Sequence, residues 1–260
     1  QEIIDNDFSL QDPWNCLGRF LALCRLDRKP DSRILQEIIA QDRDEPTLLS
    51  ACWDLLADTA CKGDVAFFER MMLQGQKHQK IAACWAAQWL GDLELVQAML
   101  AATGSLNRAA DRDTVMAAIS NMLEDDARGA HPKLFDFEGN QNEYAQAVSV
   151  KCRKIADTWP KYRYFYGGYP IDIAGTVSCF REMVYNLVHN DVPPAQSLVI
   201  QRRRVEAATG VDCRQMFSNR RFSPQAALDL LDDCRRSIKE GEYVVGVRYF
   251  LGNSLPEADG

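Results

Sequence analysis

The sequence predicts an all-α protein. Apolar residues recur at the three- and four-residue spacing of helices that bury one face. Between residues 48 and 107 the same unit occurs twice, in blocks 48–76 and 79–107: an apolar helix runs to a Gly-Asp junction, and a second apolar helix follows. Each helix pair has an apolar face that it cannot bury alone, so the pairs are expected to stack.

Two helices are predicted ahead of the repeat. Apolar residues between 14 and 23 share one face of the first helix, which should end near Pro30. Asp31 or Ser32 is expected to cap the second helix, over residues 33–41. We expect this pair to cover the N-terminal end of the repeat.

The junctions inside the repeat are Gly63-Asp64 and Gly91-Asp92. Glycine has no Cβ, so each Gly is expected to end a helix in the left-handed conformation. The Asp after each Gly is expected to cap the next helix by accepting from its unpaired N–H groups.

Three tryptophans, Trp53, Trp85 and Trp89, lie in the first helices of the two blocks. We expect them to form core between stacked pairs, and an exposed binding aromatic is the alternative.

Residues 91–107, GDLELVQAMLAATGSLN, resemble the second helix and exit turn of an ankyrin repeat, and residues 60–64 resemble its helix junction. The resemblance covers about residues 48–107. The Thr-Pro-Leu-His opening is missing, and the junction spacing is shorter than the usual ~33 residues, which leaves no length for the projecting hairpin. A different α-solenoid or an irregular helical bundle is the alternative. Because ankyrin repeats bind proteins, the resemblance implies a protein-binding role.

Beyond the repeat we predict a C-terminal helical bundle. Residues 1–127 form the acidic helical-repeat half, 128–142 a linker rich in Gly, Pro and Asn, and 143–260 the C-terminal half, with one continuous domain as the alternative. Ser223-Pro224 is a helix-start signal. The segment 242–252 is rich in Val, Tyr and Phe and is predicted to be either one short strand or a last helix.

The net charge is −7, and the acidic excess lies in the first half. Such a field disfavours nucleic acid and anionic membranes and speeds encounter with a basic protein. The alternative is that these acids only solvate the outer faces of helices. No apolar run reaches the ~20 residues of a membrane span, so no membrane partner is expected.

Nine cysteines are scattered through the chain, mostly within apolar helical stretches. Their odd number favours a reducing compartment, so we expect a cytoplasmic protein. No Cys-x-x-Cys occurs, and His78, His131 and His189 are remote from one another, so neither a metal nor another cofactor is expected.

A tyrosine-rich run over residues 162–170 is the first candidate binding surface. Tyr162, Tyr164, Tyr166 and Tyr169 surround a Gly-Gly pair, and tyrosine combines a large contact area with a hydroxyl. Two alternatives remain: the loop packs back on the helices and uses its hydroxyls internally, or its rings stack on nucleobases while nearby arginines, Arg163 and the run 202–204, reach phosphates.

Two acidic clusters are the other candidate partner contacts. Glu124, Asp125 and Asp126 crowd a helix C-terminus, where the helix dipole disfavours negative charge unless a basic group comes near. That group would belong to a partner or to the arginine-rich second half; exposure without a role is the further alternative. The second cluster, Asp42, Asp44 and Glu45, lies in the acidic link that leads into the repeat.

No phosphate loop, dinucleotide fingerprint or Gly-x-Ser-x-Gly motif occurs. The best catalytic set, Cys179, His189 and Asp191, has the residue types of a thiol hydrolase, but Cys179 falls inside a predicted helix about 15 Å from His189. We therefore predict a non-enzymatic protein-binding scaffold. The expected role is an inhibitor or immunity (antitoxin-type) protein that neutralises a basic toxin or effector. A general adaptor and an unrecognised thiol hydrolase are the alternatives.

Overall fold

The computed structural model describes residues 10, 12–28, 30–124, 134, 137–189, 195–218, 221–239 and 241–255. Within these ranges the chain forms eleven α-helices and three antiparallel hairpins with strands of two residues each, which confirms the all-α class. The helices of the first part are α1 (Pro13–Arg25), α2 (Arg33–Ala40), α3 (Pro46–Thr59), α4 (Val65–Gln74), α5 (Lys77–Leu90), α6 (Val96–Ser105), α7 (Ala109–Leu123) and α8 (Gln141–Thr158). The later elements are β1 (Phe165–Tyr166), β2 (Tyr169–Pro170), α9 (Ile173–Val188), α10 (Ala195–Thr209), β3 (Phe217–Ser218), β4 (Arg221–Phe222), α11 (Pro224–Ser237), β5 (Tyr249–Phe250) and β6 (Asn253–Ser254).

The helices of the first part pack in two rows. Helix α5 lies between α3 and α7, while α4 packs on α5 and α6, and α6 packs in turn on α7 and α8. Each predicted helix pair, α3/α4 and α5/α6, thus rests on the next pair along the chain. Stacking of this kind is what the repeat requires, but the ankyrin-like arrangement itself stays a prediction.

The two Gly-Asp junctions differ from each other. Gly91 is left-handed, with φ of 73°, and Asp92 accepts a hydrogen bond from the Glu94 N–H at 3.0 Å, as predicted. The left-handed prediction for Gly63 is wrong: the chain leaves α3 through an extended residue 60 and places Gly63 inside a 3₁₀ turn over Lys62–Asp64. The first junction therefore needs no glycine-only conformation.

The Asp64 side chain accepts hydrogen bonds from three other residues and makes no capping hydrogen bond to α4. Its carboxylate accepts from the Cys61 N–H at 2.7 Å, and also from Gln36 Nε2 at 2.7 Å and Ser32 Oγ at 2.5 Å. The last two donors belong to α2 and its N-cap residue. This buried carboxylate therefore fixes the N-terminal helix pair to the first junction.

The larger hydrophobic core draws on most of the chain. Phe20 and Phe68 from the first half share it with Tyr144 of α8, Phe165 of β1 and Phe250 of β5. Helix α8 begins inside the predicted linker, where Asn140 and Glu143 form a reciprocal capping box. The division at residues 128–142 stays a prediction, but the core is not divided there.

A second, smaller core lies among α9, α10 and α11. It includes Val177 and Phe180 of α9, Val205 of α10 and Leu231 of α11. Ser223 caps α11 by accepting from the Ala226 N–H at 3.4 Å, with Pro224 in the first turn, as the sequence predicts. The bidentate pair between Arg181 of α9 and Asp232 of α11 closes this bundle at its surface, at 2.6 and 3.1 Å.

The C-terminal segment is a strand hairpin and not a helix. Its turn, at Leu251 and Gly252, has positive φ at both positions, the form that suits a two-residue hairpin. The two turn amides donate to the Ala207 and Ala208 carbonyls, each at 2.8 Å. The hairpin therefore satisfies carbonyls at the end of α10 that have no partner within the helix.

In the part of the chain that the structure describes, no helix has both the length and the apolarity of a membrane span.

Gly91→Ala should lower the free energy of unfolding by about 2 kcal/mol, because alanine strains the left-handed conformation. Its Cβ would also come within 2.5 Å of the Phe165 carbonyl oxygen. Gly63→Ala is the matched control at the other junction and should change the stability by no more than about 0.5 kcal/mol. Urea unfolding followed by circular dichroism measures both. Equal losses at the two junctions would contradict the distinction.

The Arg181–Asp232 pair predicts a pH dependence. The hydrogen bond from Arg181 lowers the pKa of Asp232, so the stability that it contributes is present above the ordinary carboxyl pKa of ~3.9 and is lost as the pH falls through the folded-state pKa. Asp232→Asn should therefore destabilise the protein at pH 7, and the difference from wild type should shrink towards pH 3. Asp229→Asn is the control, since that carboxylate accepts from the neutral Gln225 amide at 2.9 Å. Urea unfolding at pH 7 and pH 3 measures the free energy of unfolding of each variant. A difference between Asp232→Asn and wild type that is the same at both pH values refutes the prediction.

Candidate binding groove

An open groove lies between the α2–α3 turn, α3 and α5. Its volume is about 540 Å³, within the ~300–1,000 Å³ range of ligand sites. We call it the acidic groove and define it by six of its lining residues, Asp42, Asp44, Trp53, Asp54, His78 and Trp85.

The wall of the acidic groove is apolar and aromatic. Ile39 and Leu49 contribute aliphatic surface. Trp53 is buried, and its ring centroid lies 5.8 and 5.6 Å from those of Phe67 and Phe68. Packing on both phenylalanines fixes the Trp53 ring in place and gives the groove a rigid side.

Trp85 is the half-buried aromatic of this wall. Its ring stands edge-on to that of Trp89, one helical turn further along α5, with centroids 6.4 Å apart. Trp53 of α3 and Trp89 of α5 are buried, as the core prediction expects. Trp85 is only half-buried and lines the groove, as the alternative prediction expects.

Carboxylates lie around this apolar wall. Asp42 is held in a left-handed conformation, with φ of 48°, and lies 2.6 Å from His78 Nε2. Asp44, on the α2–α3 turn, is exposed, and the side chain of Asp54, on α3, is 41% exposed. Arg43 also lines the groove, but its guanidinium donates to the Leu10 carbonyl at 2.6 Å and to the Gln41 side chain at 2.8 Å. These neutral acceptors leave the charge of Arg43 unchanged, but three carboxylates outnumber it, so the groove is a concave surface of net negative charge.

Two of the three acids predicted in the link, Asp42 and Asp44, line the groove, and Glu45 is exposed beside them. Their role in binding a partner stays a prediction. The sequence did not indicate that Asp54, Trp53 and Trp85 join them, because that depends on how α3 packs against α5. The signal available was that the first helix of each block contains tryptophan, Trp53 in one block and Trp85 in the other.

The tyrosine run forms the β1–β2 hairpin and lies against the second repeat junction. The Phe165 N–H donates to the Gly91 carbonyl at 2.8 Å, and Tyr166 donates its hydroxyl to the Trp89 carbonyl at 2.9 Å. Tyr164 is only 3% exposed, and burial raises its pKa. The alternative in which this loop packs back on the helices therefore describes Tyr164 and Tyr166.

The other two tyrosines of the run lie nearer to the surface. Tyr162 is half-buried between Trp159 and the backbone at Gly246. Tyr169 is 42% exposed, the largest exposure of the four. Of the predicted tyrosine surface, Tyr169 is the residue that presents its ring to solvent.

The arginines considered as phosphate contacts make internal interactions. Arg163 donates to Asp92 at 2.6 Å and to Glu94 at 2.7 Å. In the run 202–204, Arg202 pairs with Glu206 at 3.2 Å, and the Arg204 guanidinium lies 4.0 Å from the centre of the Tyr166 ring. Of these contacts, those of Arg163 join the second half to the first, whereas those of Arg202 and Arg204 lie within the second half.

Arg203 connects α10 with the acidic groove. Its guanidinium lies 2.7 Å from Asp54 Oδ1 and 3.1 Å from Asp58 Oδ1, and it stacks 4.5 Å above the Trp89 ring. Burial raises the pKa of Asp58, and the positive charge of Arg203 opposes that rise. Asp54 thus belongs both to the groove and to the contact between the halves.

Glu124 also has internal partners. Its carboxylate accepts from the Leu134 N–H at 2.8 Å and from Ser120 Oγ at 3.2 Å, and Lys151 Nζ of α8 lies 3.7 Å away. A lysine of the second half thus supplies the nearby basic group. Asp125 and Asp126 lie outside the described residues.

Cys179 and His189, the two described residues of the predicted catalytic set, are not brought together. Cys179 lies within continuous helix α9, and His189 follows the end of that helix, about 15 Å further along. The His189 ring stacks on Tyr185 with centroids 4.1 Å apart. Asp191 falls outside the residues described. Within the part of the chain that the structure describes, no group of three His, Cys, Asp or Glu side chains is arranged to hold a metal.

Arg203→Met should lower the free energy of unfolding by about 2–3 kcal/mol, because the largely buried carboxylate of Asp58 would lose its guanidinium partner and Trp89 would lose its stacked cation. Arg202→Met is the matched control one residue away. It removes a pair within α10 and should cost less than about 1 kcal/mol. Thermal and urea unfolding measure both; equal losses would contradict the assigned role of Arg203.

The acidic groove combines a rigid aromatic wall with three carboxylates and an opening to solvent. No family model, curated protein or solved structure matches the chain that forms it. The residues of the groove are therefore the basis on which its function is inferred.

Proposed function

We propose that this protein is a non-enzymatic scaffold that binds a basic protein partner through the acidic groove, as an inhibitor or an immunity (antitoxin-type) protein that neutralises a toxin or effector. The single observation that carries the proposal is the meeting of Asp42, Asp44 and Asp54 around an aromatic wall. Opposite charge gives such an interface its specificity and association rate, and a buried aromatic at its centre gives it affinity.

The overall charge supports the same partner. The chain has a net charge of −7, and that field extends the attraction of the groove beyond direct contact at low ionic strength. Glu45, beside the groove, and Tyr169, on the β1–β2 hairpin, are further partner contacts in this proposal. We do not include Tyr164, because its side chain is buried.

We place the protein in the cytoplasm as part of the proposal. No disulfide joins the nine cysteines, all of which lie in described ranges, and seven of them are buried. Burial raises the pKa of Cys52, Cys84 and Cys213 to about 12, so these thiols stay protonated and behave as small apolar side chains. Such thiols suit a reducing compartment.

The proposal is tested with the intact chain as bait in a lysate of its native host at low salt. One dominant basic protein should be retained and then released at high salt. The bait variant Asp44→Asn/Glu45→Gln should retain it about three- to tenfold less well, as expected for two exposed charges. The matched control, Asp157→Asn/Glu182→Gln, removes the same charge at exposed positions of α8 and α9 and should behave like wild type.

Two results would reject this function. One is that no basic protein is retained. The other is that the groove variant and the control variant retain the same protein equally, which would assign binding to the overall charge and not to the groove.

A further inference from the structure

Arg203 already shows how this part of the protein binds a guanidinium group. Its guanidinium carbon lies over the Trp89 ring of α5, 4.5 Å from the ring centre, and the group is paired with Asp54 and Asp58 of α3. The indole face and the two carboxylates meet the requirements of arginine, whose planar group stacks on aromatic rings and donates to carboxylates in the same plane.

The acidic groove repeats this arrangement one turn away on the same two helices. Trp85 precedes Trp89 by one turn of α5, and Asp54 precedes Asp58 by one turn of α3. Trp85 and Asp54 both line the groove, together with Asp42 and Asp44 from the α2–α3 turn. Asp54 remains 41% exposed even though it is paired with Arg203. A second guanidinium therefore has an indole and carboxylates available in the groove.

We propose that the acidic groove recognises an arginine side chain carried by a basic segment of the partner, with its guanidinium on Trp85 and between the carboxylates of the α2–α3 turn and α3. This inference rests on the proposed function and specifies what enters the groove.

The wall of the groove favours arginine over lysine. Guanidinium is less strongly hydrated than ammonium, so it loses less on entering a site lined by Ile39, Leu49 and Trp53. A volume of about 540 Å³ also has room for an apolar neighbour of the arginine against these residues. The recognised segment in this proposal therefore places an aliphatic residue next to the arginine.

A synthetic peptide, acetyl-Leu-Arg-Leu-Arg-Leu-amide, is the probe, and the tryptophan indole N–H signals of the ¹⁵N-labelled full chain are the readout. The Trp85 signal, assigned by its loss in Trp85→Leu, should move on titration. The same peptide with citrulline in place of arginine is a neutral isostere and should bind at least tenfold more weakly. The lysine peptide should bind about threefold more weakly.

Variants of the protein test whether the arginine peptide binds in the acidic groove. Trp85→Leu should weaken binding of the arginine peptide about tenfold, because it removes the stacked ring. Because this variant lacks the Trp85 signal, its affinity is measured by isothermal titration calorimetry. Trp14→Leu, at a tryptophan that is 49% exposed on α1, is the matched control and should leave the affinity unchanged. Asp44→Asn, at an exposed residue, should weaken binding about threefold and does not rely on a change in the core. The remaining indole signals report whether each variant is folded.

The inference is overturned if the citrulline or lysine peptide binds as tightly as the arginine peptide, or if the arginine peptide moves other indole signals and leaves that of Trp85 in place. These results differ from a failure of the proposed function. Capture of a basic protein that depends on Asp44 and Glu45, without a response of Trp85 to the peptide, keeps the function and removes the arginine assignment. A response of Trp85 to the peptide, without a captured partner, keeps the arginine assignment and removes the proposed function.

Discussion

This fold depends on the contacts that buried and half-buried arginine side chains make with carboxylates, carbonyls and aromatic rings. Arg203 joins α10 to α3 and α5, and Arg204 donates to the Asn121 carbonyl at 3.2 Å while it stacks on Tyr166. Arg248, from the segment before β5, donates to the Ala57 and Ala60 carbonyls at the end of α3. Arginine suits these positions because one group satisfies several acceptors and covers an aromatic face at the same time. Ile200 and Ala208 of α10 also belong to the larger apolar core, so the guanidinium contacts add to apolar packing between α10 and the first helices.

These contacts explain why the tyrosine-rich segment is built into the protein. A hairpin that carries Tyr164, Phe165 and Tyr166 fills the space beside Gly91, and only a glycine at that junction permits the close approach of the Phe165 backbone. The rings of Tyr164 and Tyr166 then provide the faces on which Arg248 and Arg204 rest, at 5.4 and 4.0 Å. Aromatic rings that suit a recognition surface thus serve an internal one.

Local features of the fold could be predicted from the sequence, and non-local ones could not. The helix start at Ser223, the cap at Asp92 and the left-handed Gly91 depend on a few neighbouring residues, and each was predicted. Gly63 has the same sequence context as Gly91, but the contacts of Asp64 with α2 lead the chain into a different turn. For the groove, the sequence indicated Asp42, Asp44 and Glu45. It did not indicate Asp54, and it offered Trp85 as a binding aromatic only as an alternative to core, because both residues join the site only when α3 and α5 pack together.

The β5–β6 turn has a consequence for the order in which the molecule can form. The N-terminal helices contact their neighbours in sequence, so they can pack as the chain leaves the ribosome. Helix α10 depends on later residues, since its last carbonyls are satisfied by the amides of Leu251 and Gly252, more than 40 residues further on. The Ala60 carbonyl at the end of α3 depends on the same late segment, because its donor is Arg248. The last described residues of the chain therefore complete both the second half and its attachment to the first.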